Sequence, residues 1–222
     1  MIIHTTAAPR SIGVLGAGRV GTAVARQALA AGFEVKIATA KPAEEIAMIV
    51  EIVTPGALAV DATEAAAADL VILAVPLHQY RALDAGLLTG KTIIDAMNYW
   101  APTDGEIDDF EHDPRTSSEI VQEFLAGARL VKSLNHIGYH ELEEDGRPTG
   151  AVDRRALALA GDHEDAKALV AGFIHRLGYD PVDAGPLAAG RAFQPGTKIF
   201  NGSHTAPVLH AALTAALVST LH

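Results

Sequence analysis

Residues 11–21 read Ser-Ile-Gly-Val-Leu-Gly-Ala-Gly-Arg-Val-Gly, an apolar run that passes into G-x-G-x-x-G and then straight into the helix-forming stretch 22–29. Few folds accept such a passage. The first glycine of the motif permits a tight turn, the second lets backbone approach a pyrophosphate, and the third lets the helix pack closely on its strand. The helix N-terminus is then aimed at the phosphates. A second extended run, residues 32–39, follows at the spacing of a βαβ unit. A lone G-x-G-x-x-G also occurs in glycine turns of other α/β proteins; the strand before it, the helix after it and the second strand separate this one from those.

The rest of the chain repeats the alternation. Apolar runs predict strands at 12–15, 34–39, 57–61, 70–75, 92–96, 129–133 and 156–160, with helices at 21–31, 43–53, 79–88, 117–125 and 164–177 between them. The runs Leu70-Val71-Ile72-Leu73-Ala74-Val75 and Thr92-Ile93-Ile94 are continuous rather than alternating, as in strands of a parallel sheet covered on both faces. The expected architecture is therefore α/β: a doubly wound, mostly parallel sheet of the Rossmann NAD(P)-binding type, with a small C-terminal helical appendage. One dinucleotide-binding domain spans 1–222, its C-terminal extension of about 163–222 packing on it.

Composition narrows the functional classes. With 222 residues, 49% of them hydrophobic, the chain can bury one generous core. The net charge of −10 and a pI near 5.4 oppose a nucleic-acid partner, and no basic stripe offsets them. The absence of cysteine excludes disulfides, thiolate metal sites and cysteine nucleophiles. Residues 1–9 have neither the basic region nor the apolar region of a secretory leader, so a cytoplasmic location is expected. The apolar stretch 206–221 is interrupted by His210 and is shorter than the ~20 residues that span a bilayer, so no membrane association is expected. Its residues Val208, Leu209, Ala212, Leu213, Ala216 and Leu217 recur at helical spacing, which suits a helix packed on its own domain or on a second copy in a homodimer.

Residues 99–116 are the least regular, carrying Asp104, Glu106, Asp108, Asp109, Glu111 and Asp113 between Pro102 and Pro114. They lack the glycine and terminal glutamate of a calcium loop and read as a solvated acidic loop or a lid over the strand ends, with no metal expected. His136 and His140 are four apart, but the intervening Gly138 argues against a metal-binding helix. G-x-S-x-G is absent, so no serine sits in a nucleophile elbow.

The second strand identifies the dinucleotide. NAD-binding members of the fold place an Asp or Glu about 20 residues after the glycine motif, on the adenosine ribose. Here the position reads Ala38-Thr39-Ala40-Lys41-Pro42. No carboxylate repels a 2′-phosphate, and a hydroxyl and an ammonium are at hand to bind one, with Arg19 as a second cation. NADP(H) is therefore the expected nucleotide, although Glu44 and Glu45 follow closely and Lys41 would serve equally as a solvated surface lysine.

Gly16-Ala17-Gly18-Arg19-Val20-Gly21, Leu73-Ala74-Val75-Pro76, Val131-Lys132-Ser133-Leu134-Asn135-His136-Ile137 and Asp183-Ala184-Gly185-Pro186-Leu187 with Arg191 together resemble the NADPH:coenzyme F420 oxidoreductase family. The cytosolic domains of six-transmembrane metalloreductases are similar too. The first motif is shared widely; the segments at Lys132 and Asp183 are more particular. The resemblance implies that Thr39, Ala40 and Lys41 face the 2′-phosphate, and that Val75, Pro76 and Leu77 lie along the nicotinamide half. It further implies that Met97 and Asn98 border the nicotinamide, while Asn135, His136 and Ile137 wall the pocket where a deazaflavin stacks. Where family members commonly carry Ser-Arg-Arg, this chain has Thr39-Ala40-Lys41.

Hydride transfer from a nicotinamide to a deazaflavin, the activity so implied, needs no protein nucleophile, because both partners supply their own electronics. No catalytic residue is assigned. His136 is the candidate for proton handling, set against a hydrogen-bonded structural role. Arg191, with Lys198 nearby, either meets the anionic tail of coenzyme F420 or is solvated. Two other readings of the same nucleotide domain are an NADPH-dependent reductase of a small imine or carbonyl, which needs a proton donor and more helices, and a non-catalytic NADP(H)-sensing module.

Overall fold

The structure, a computed structural model, describes residues 9–219. The expectations about a leader in 1–9 and about the end of the 206–221 stretch fall largely or partly outside the described residues. Eight strands form one sheet: β1 (Ser11–Leu15), β2 (Glu34–Ala38), β3 (Leu58–Ala59), β4 (Leu70–Leu73), β5 (Thr92–Asp95), β6 (Arg129–Ser133), β7 (Ala156–Gly161) and β8 (Asp180–Asp183). Their spatial order is β3-β2-β1-β4-β5-β6-β7-β8. All neighbours are parallel except β6 and β7, which are antiparallel with Val131 opposite Gly161 and Ser133 opposite Leu159. The order reverses direction between β1 and β4, the switch point at which doubly wound sheets bind ligands.

Ten α-helices accompany the strands among the described residues: α1 (Arg19–Ala30), α2 (Ala43–Val53), α3 (Ala62–Ala66), α4 (Ala85–Leu88), α5 (Ala101–Asp104), α6 (Asp108–Glu111), α7 (Ser117–Phe124), α8 (Tyr139–Glu144), α9 (Glu164–Arg176) and α10 (Ala206–Ser219). Successive residues of a strand point to opposite faces. In β4, Leu70 and Ile72 accordingly join the core under α1 and α9, while Val71 and Leu73 join the core under α3, α4 and α7. All four are completely buried, which is why the strand reads as an unbroken apolar run. A third core lies beneath α10, where Leu209 and Leu213 pack with Val182, Phe193 and Ile199. Val208 and Val218 of α10 are exposed, and no helix among the described residues is long and apolar enough to cross a membrane.

Several elements differ from the sequence expectation, among them the short helices α3 and α8, which no expected helix covers. The C-terminal region contributes β8 to the sheet as well as helices, its register set by β7 with Leu159 opposite Asp183. The helix expected over 79–88 divides into a 3₁₀ helix, Leu77–Ala82, and α4, because Leu83 is extended and the Asp84 carboxylate caps the next turn by accepting from the Gly86 N–H at 2.8 Å. The acidic segment holds α5 and α6 and is tied down. Phe110 is buried, and the Asp109 carboxylate accepts from the Tyr80 hydroxyl at 2.7 Å and from Arg81 Nε at 2.9 Å. Those contacts use charge that a purely solvated loop would leave in water; the Arg81 guanidinium and the Tyr80 hydroxyl hold Asp109 below the ordinary carboxylate range.

Candidate active site

The end of β1 delivers the glycine motif to the switch point. Gly16 has φ +117°, and a Cβ there would stand 2.4 Å from the Ala74 carbonyl oxygen, so only glycine allows β1 and β4 to meet at this turn. A Cβ on Gly21 would lie 2.0 Å from the Gly16 carbonyl oxygen, so this glycine sets the approach of α1 to the turn. Gly18 is different. A Cβ on it would meet no protein atom within 4 Å, and the residue lies open at the cleft as the N-cap of α1. No side chain caps α1 and its first turn carries no acid, leaving first-turn N–H groups and the positive end of the helix dipole for an external anion. Bare backbone, an uncapped helix and open space beside Gly18 fit a dinucleotide pyrophosphate.

A cleft of about 730 Å³ runs from this turn across the switch point. It brings together Gly16, Ala17, Gly18, Arg19, Val20, Thr39, Ala40, Lys41, Val75, Pro76, Leu77, Met97 and Asn98, residues that are far apart in sequence. Gly21 lies behind the turn rather than in the cleft wall. At the β2 end, Thr39 Oγ1 accepts from the Lys41 backbone N–H at 3.1 Å, which shapes the loop that presents the exposed Lys41. Arg19 is exposed across from it, 5.8 Å from the Tyr139 ring centroid. Both cations can meet a 2′-phosphate, and no carboxylate lines the cleft. A smaller apolar pocket of about 200 Å³, walled by Ala38, Ala62, Ala66, Leu83, Leu87 and Leu88 among others, adjoins Thr39 and Ala40 and suits a flat ring such as adenine.

Asn135, His136 and Ile137 do not line the cleft; all three are buried behind it. Leu134, with φ 62°, turns the chain at the end of β6 into this layer. Asn98 Nδ2 donates to the Asn135 carbonyl at 2.7 Å, and Asn135 Nδ2 donates to Asn98 Oδ1 at 3.1 Å and to the Phe193 carbonyl at 3.1 Å. Asn135 therefore positions Asn98 from the interior. His136 Nε2 accepts from the Ala158 N–H at 3.0 Å, and the ring packs edge-on against Phe193. Burial, with Arg155 and Lys132 nearby, pushes its pKa down to about 3, so the imidazole stays neutral around pH 7. The structural role of His136 prevails over proton handling. His140, by contrast, is exposed, and among the described residues no group of three or more His, Asp or Glu is placed to hold a metal ion.

Sequence reasoning missed the charged pair beneath Met97. Asp95 is fully buried and accepts from the Met97 N–H at 2.9 Å and from the Ser118 hydroxyl at 2.7 Å. Lys132, 3% exposed, donates to Asp95 Oδ2 at 3.3 Å and to the Met97 carbonyl. Both backbone polar groups of Met97 are thus held from below. Burial lowers the Lys132 pKa while Asp95 opposes that shift. The available signal was a lysine inside the apolar strand Leu130-Val131-Lys132-Ser133, since an unpaired buried ammonium is too costly to persist.

Over residues 11–99 the chain matches the family model described as NADP oxidoreductase, coenzyme F420-dependent. It is 26% identical over 184 residues to the metalloreductase STEAP3 of Rattus norvegicus, spanning 81% of this chain and about a third (35%) of that protein. A solved structure of a hypothetical protein from Sinorhizobium meliloti is 30% identical, with TM-score 0.74 over 88% of this chain and 95% of that one. A candidate F420-dependent NADP reductase from Arthrobacter sp. FB24 superposes with TM-score 0.66 at 24% identity over 83% and 88% of the two chains, a likeness of fold. With the glycine turn, the carboxylate-free end of β2 and the open switch point, these similarities place the chain among NADP-dependent oxidoreductases, its residues 11–99 being similar to the coenzyme F420-dependent family.

Proposed function

We propose that this chain transfers a hydride between NADPH and a planar redox acceptor such as the deazaflavin coenzyme F420. One observation carries the reading: the cleft offers fixed backbone and two cations at its phosphate end, but no carboxylate and no histidine anywhere along its walls. A reaction that needed a carboxylate or a histidine as acid or base in this cleft would lack one. Hydride exchange between two cofactors needs only position.

NADPH, when bound, supplies the hydride from its nicotinamide ring. The α1 N-terminus binds the pyrophosphate, and Thr39, Lys41 and Arg19 face the 2′-phosphate. Val75, Pro76, Leu77 and Met97 give the nicotinamide half an apolar wall that excludes water, while Asn98, held by Asn135, offers its amide at the rim. Holding reacting carbons ~3–3.5 Å apart in stacked geometry is worth about 7–11 kcal/mol of barrier, enough to make positioning the main contribution of the protein.

The test mixes the purified protein with NADPH and coenzyme F420 and follows both chromophores between pH 5 and 9. Coupled changes at the two absorbances are expected. An absence of hydride exchange across the whole range would sink the reading.

A further inference from the structure

A second cavity, of about 240 Å³, adjoins the nucleotide cleft, and Asn98 is the residue common to both linings. Its walls are chiefly polar and include Arg115, Thr116, Lys132, Arg191 and Gln194. Their hydrogen-bonding capacity is unequally used. Arg115 is committed: it grips Asp113 through Nε at 3.0 Å and Nη2 at 2.7 Å, and reaches Glu123 through Nη1 at 2.8 Å. Asp113, the carboxylate in the cavity wall, is neutralised by that grip.

Lys132 and Arg191 retain donors. An ammonium has three hydrogens, and Lys132 has two acceptors among the described residues, Asp95 Oδ2 and the Met97 carbonyl. Arg191 spends Nε on the Ala188 carbonyl at 3.1 Å. Its nearest acid, Glu119, stands 3.7 Å from Nη2, beyond hydrogen-bond reach, and the same Glu119 oxygen already accepts from the Thr116 N–H at 2.7 Å and hydroxyl at 2.9 Å. Gly190 makes room for the lysine, since a Cβ there would lie 3.2 Å from Lys132 Cγ. Two cations with spare N–H groups thus share the walls of a cavity that opens beside the nicotinamide end of the cleft.

We infer that this cavity is the polar subsite of the hydride acceptor and takes a carboxylate or phosphate group, held by the Lys132 ammonium and the Arg191 guanidinium. The inference rests on the proposed function in placing the acceptor next to Asn98. An uncharged acceptor filling the cavity would leave the spare N–H groups of Lys132 and Arg191 without acceptors, at a cost in desolvation that an oxyanion repays with charge-assisted hydrogen bonds.

Calorimetric titration of the NADPH-saturated protein with oxalate and, separately, with inorganic phosphate tests it. At least one anion binds, and Arg191→Gln weakens it tenfold or more while leaving NADPH affinity within twofold. Lys132→Met alone strands the Asp95 carboxylate, so the companion variant is Asp95→Asn/Lys132→Met, which removes both charges; it too loses the anion, and Lys132→Arg in the native background retains it. The inference is overturned if neither anion binds the wild-type protein, or if Arg191→Gln and the double variant both bind it as tightly as wild type. Failure to bind NADPH, or anion binding without hydride exchange, counts against the proposed function instead, so the two can fail separately.

Discussion

Asn98 and Asn135 hold each other through two hydrogen bonds, one from each side-chain amide, although one residue edges the nucleotide cleft and the other is buried behind it. Replacing Asn135 with alanine removes the two bonds its side-chain amide donates, to Asn98 Oδ1 and to the Phe193 carbonyl, and leaves the Phe193 carbonyl short of a donor; the bond from Asn98 Nδ2 to the Asn135 backbone carbonyl remains. A loss of about 1–3 kcal/mol in stability is expected, read by urea unfolding. Because Asn98 loses one of its two anchors, turnover should fall more than NADPH affinity does. An unaltered turnover in a folded variant would show that Asn98 needs no support.

The glycines of the motif should separate by their jobs. Gly16→Ala must escape a positive φ and a 2.4 Å approach to the Ala74 carbonyl, so it destabilises the fold by more than about 1 kcal/mol. Gly18→Ala meets no protein atom and should keep the melting temperature close to wild type while weakening NADPH, because its methyl group projects where the pyrophosphate approaches. Parallel melting curves and fluorescence titrations of the two variants decide the matter; equal melting losses would contradict it.

At the other end of the cleft, Lys41→Ala should weaken NADPH by about 1.5 kcal/mol, the low end for a hydrogen bond to a charged group, and leave NADH nearly unchanged. That is roughly a tenfold shift in preference. Equal losses for both nucleotides would remove Lys41 from the 2′-phosphate site.

The buried neutral state of His136 has a signature in pH. Its folded pKa, about 3, lies below the ordinary value of 6.5, so the unfolded chain binds the extra proton first as pH falls. Its contribution to stability is complete above pH 6.5 and is lost progressively between 6.5 and 3, with a slope of up to about 1.4 kcal/mol per pH unit. The lowered carboxyls of Asp69, Asp109 and Asp113 add their own losses only in the carboxylate range, so the interval from pH 6.5 to 4.5 isolates the histidine. His136→Gln, which keeps an acceptor for the Ala158 N–H, should flatten urea-derived stability over that interval.

Much of this architecture is written in local pattern. Strands such as β4 and β5 are buried on both faces and advertise it by continuous apolar runs, and the turn at Gly16 carries its own signature. β8 was not legible: Pro181 and one buried apolar residue, Val182, give it no periodicity, and its extended course is imposed by pairing to β7. The cleft residues from Gly16 to Asn98 were readable because each sits at a strand end or in a glycine motif. The cavity beyond Asn98 was not, because Lys132, Arg115 and Arg191 come from three separate elements and meet only when the sheet is assembled. Asn135 and His136 illustrate the same limit: sequence places them after a strand but does not say which side of the cleft wall they occupy.

The cleft and the polar cavity touch at Asn98, and their other lining residues are distinct. A lineage carrying this fold can therefore revise one lining without redrawing the other. If the proposed acceptor subsite holds, changes around Asp113, Arg191 or Gln194 retune what accepts electrons, while the cleft lining at Gly18 and Lys41 is left intact. Asn98 is the hinge of that independence, the one position whose alteration reshapes both linings at once.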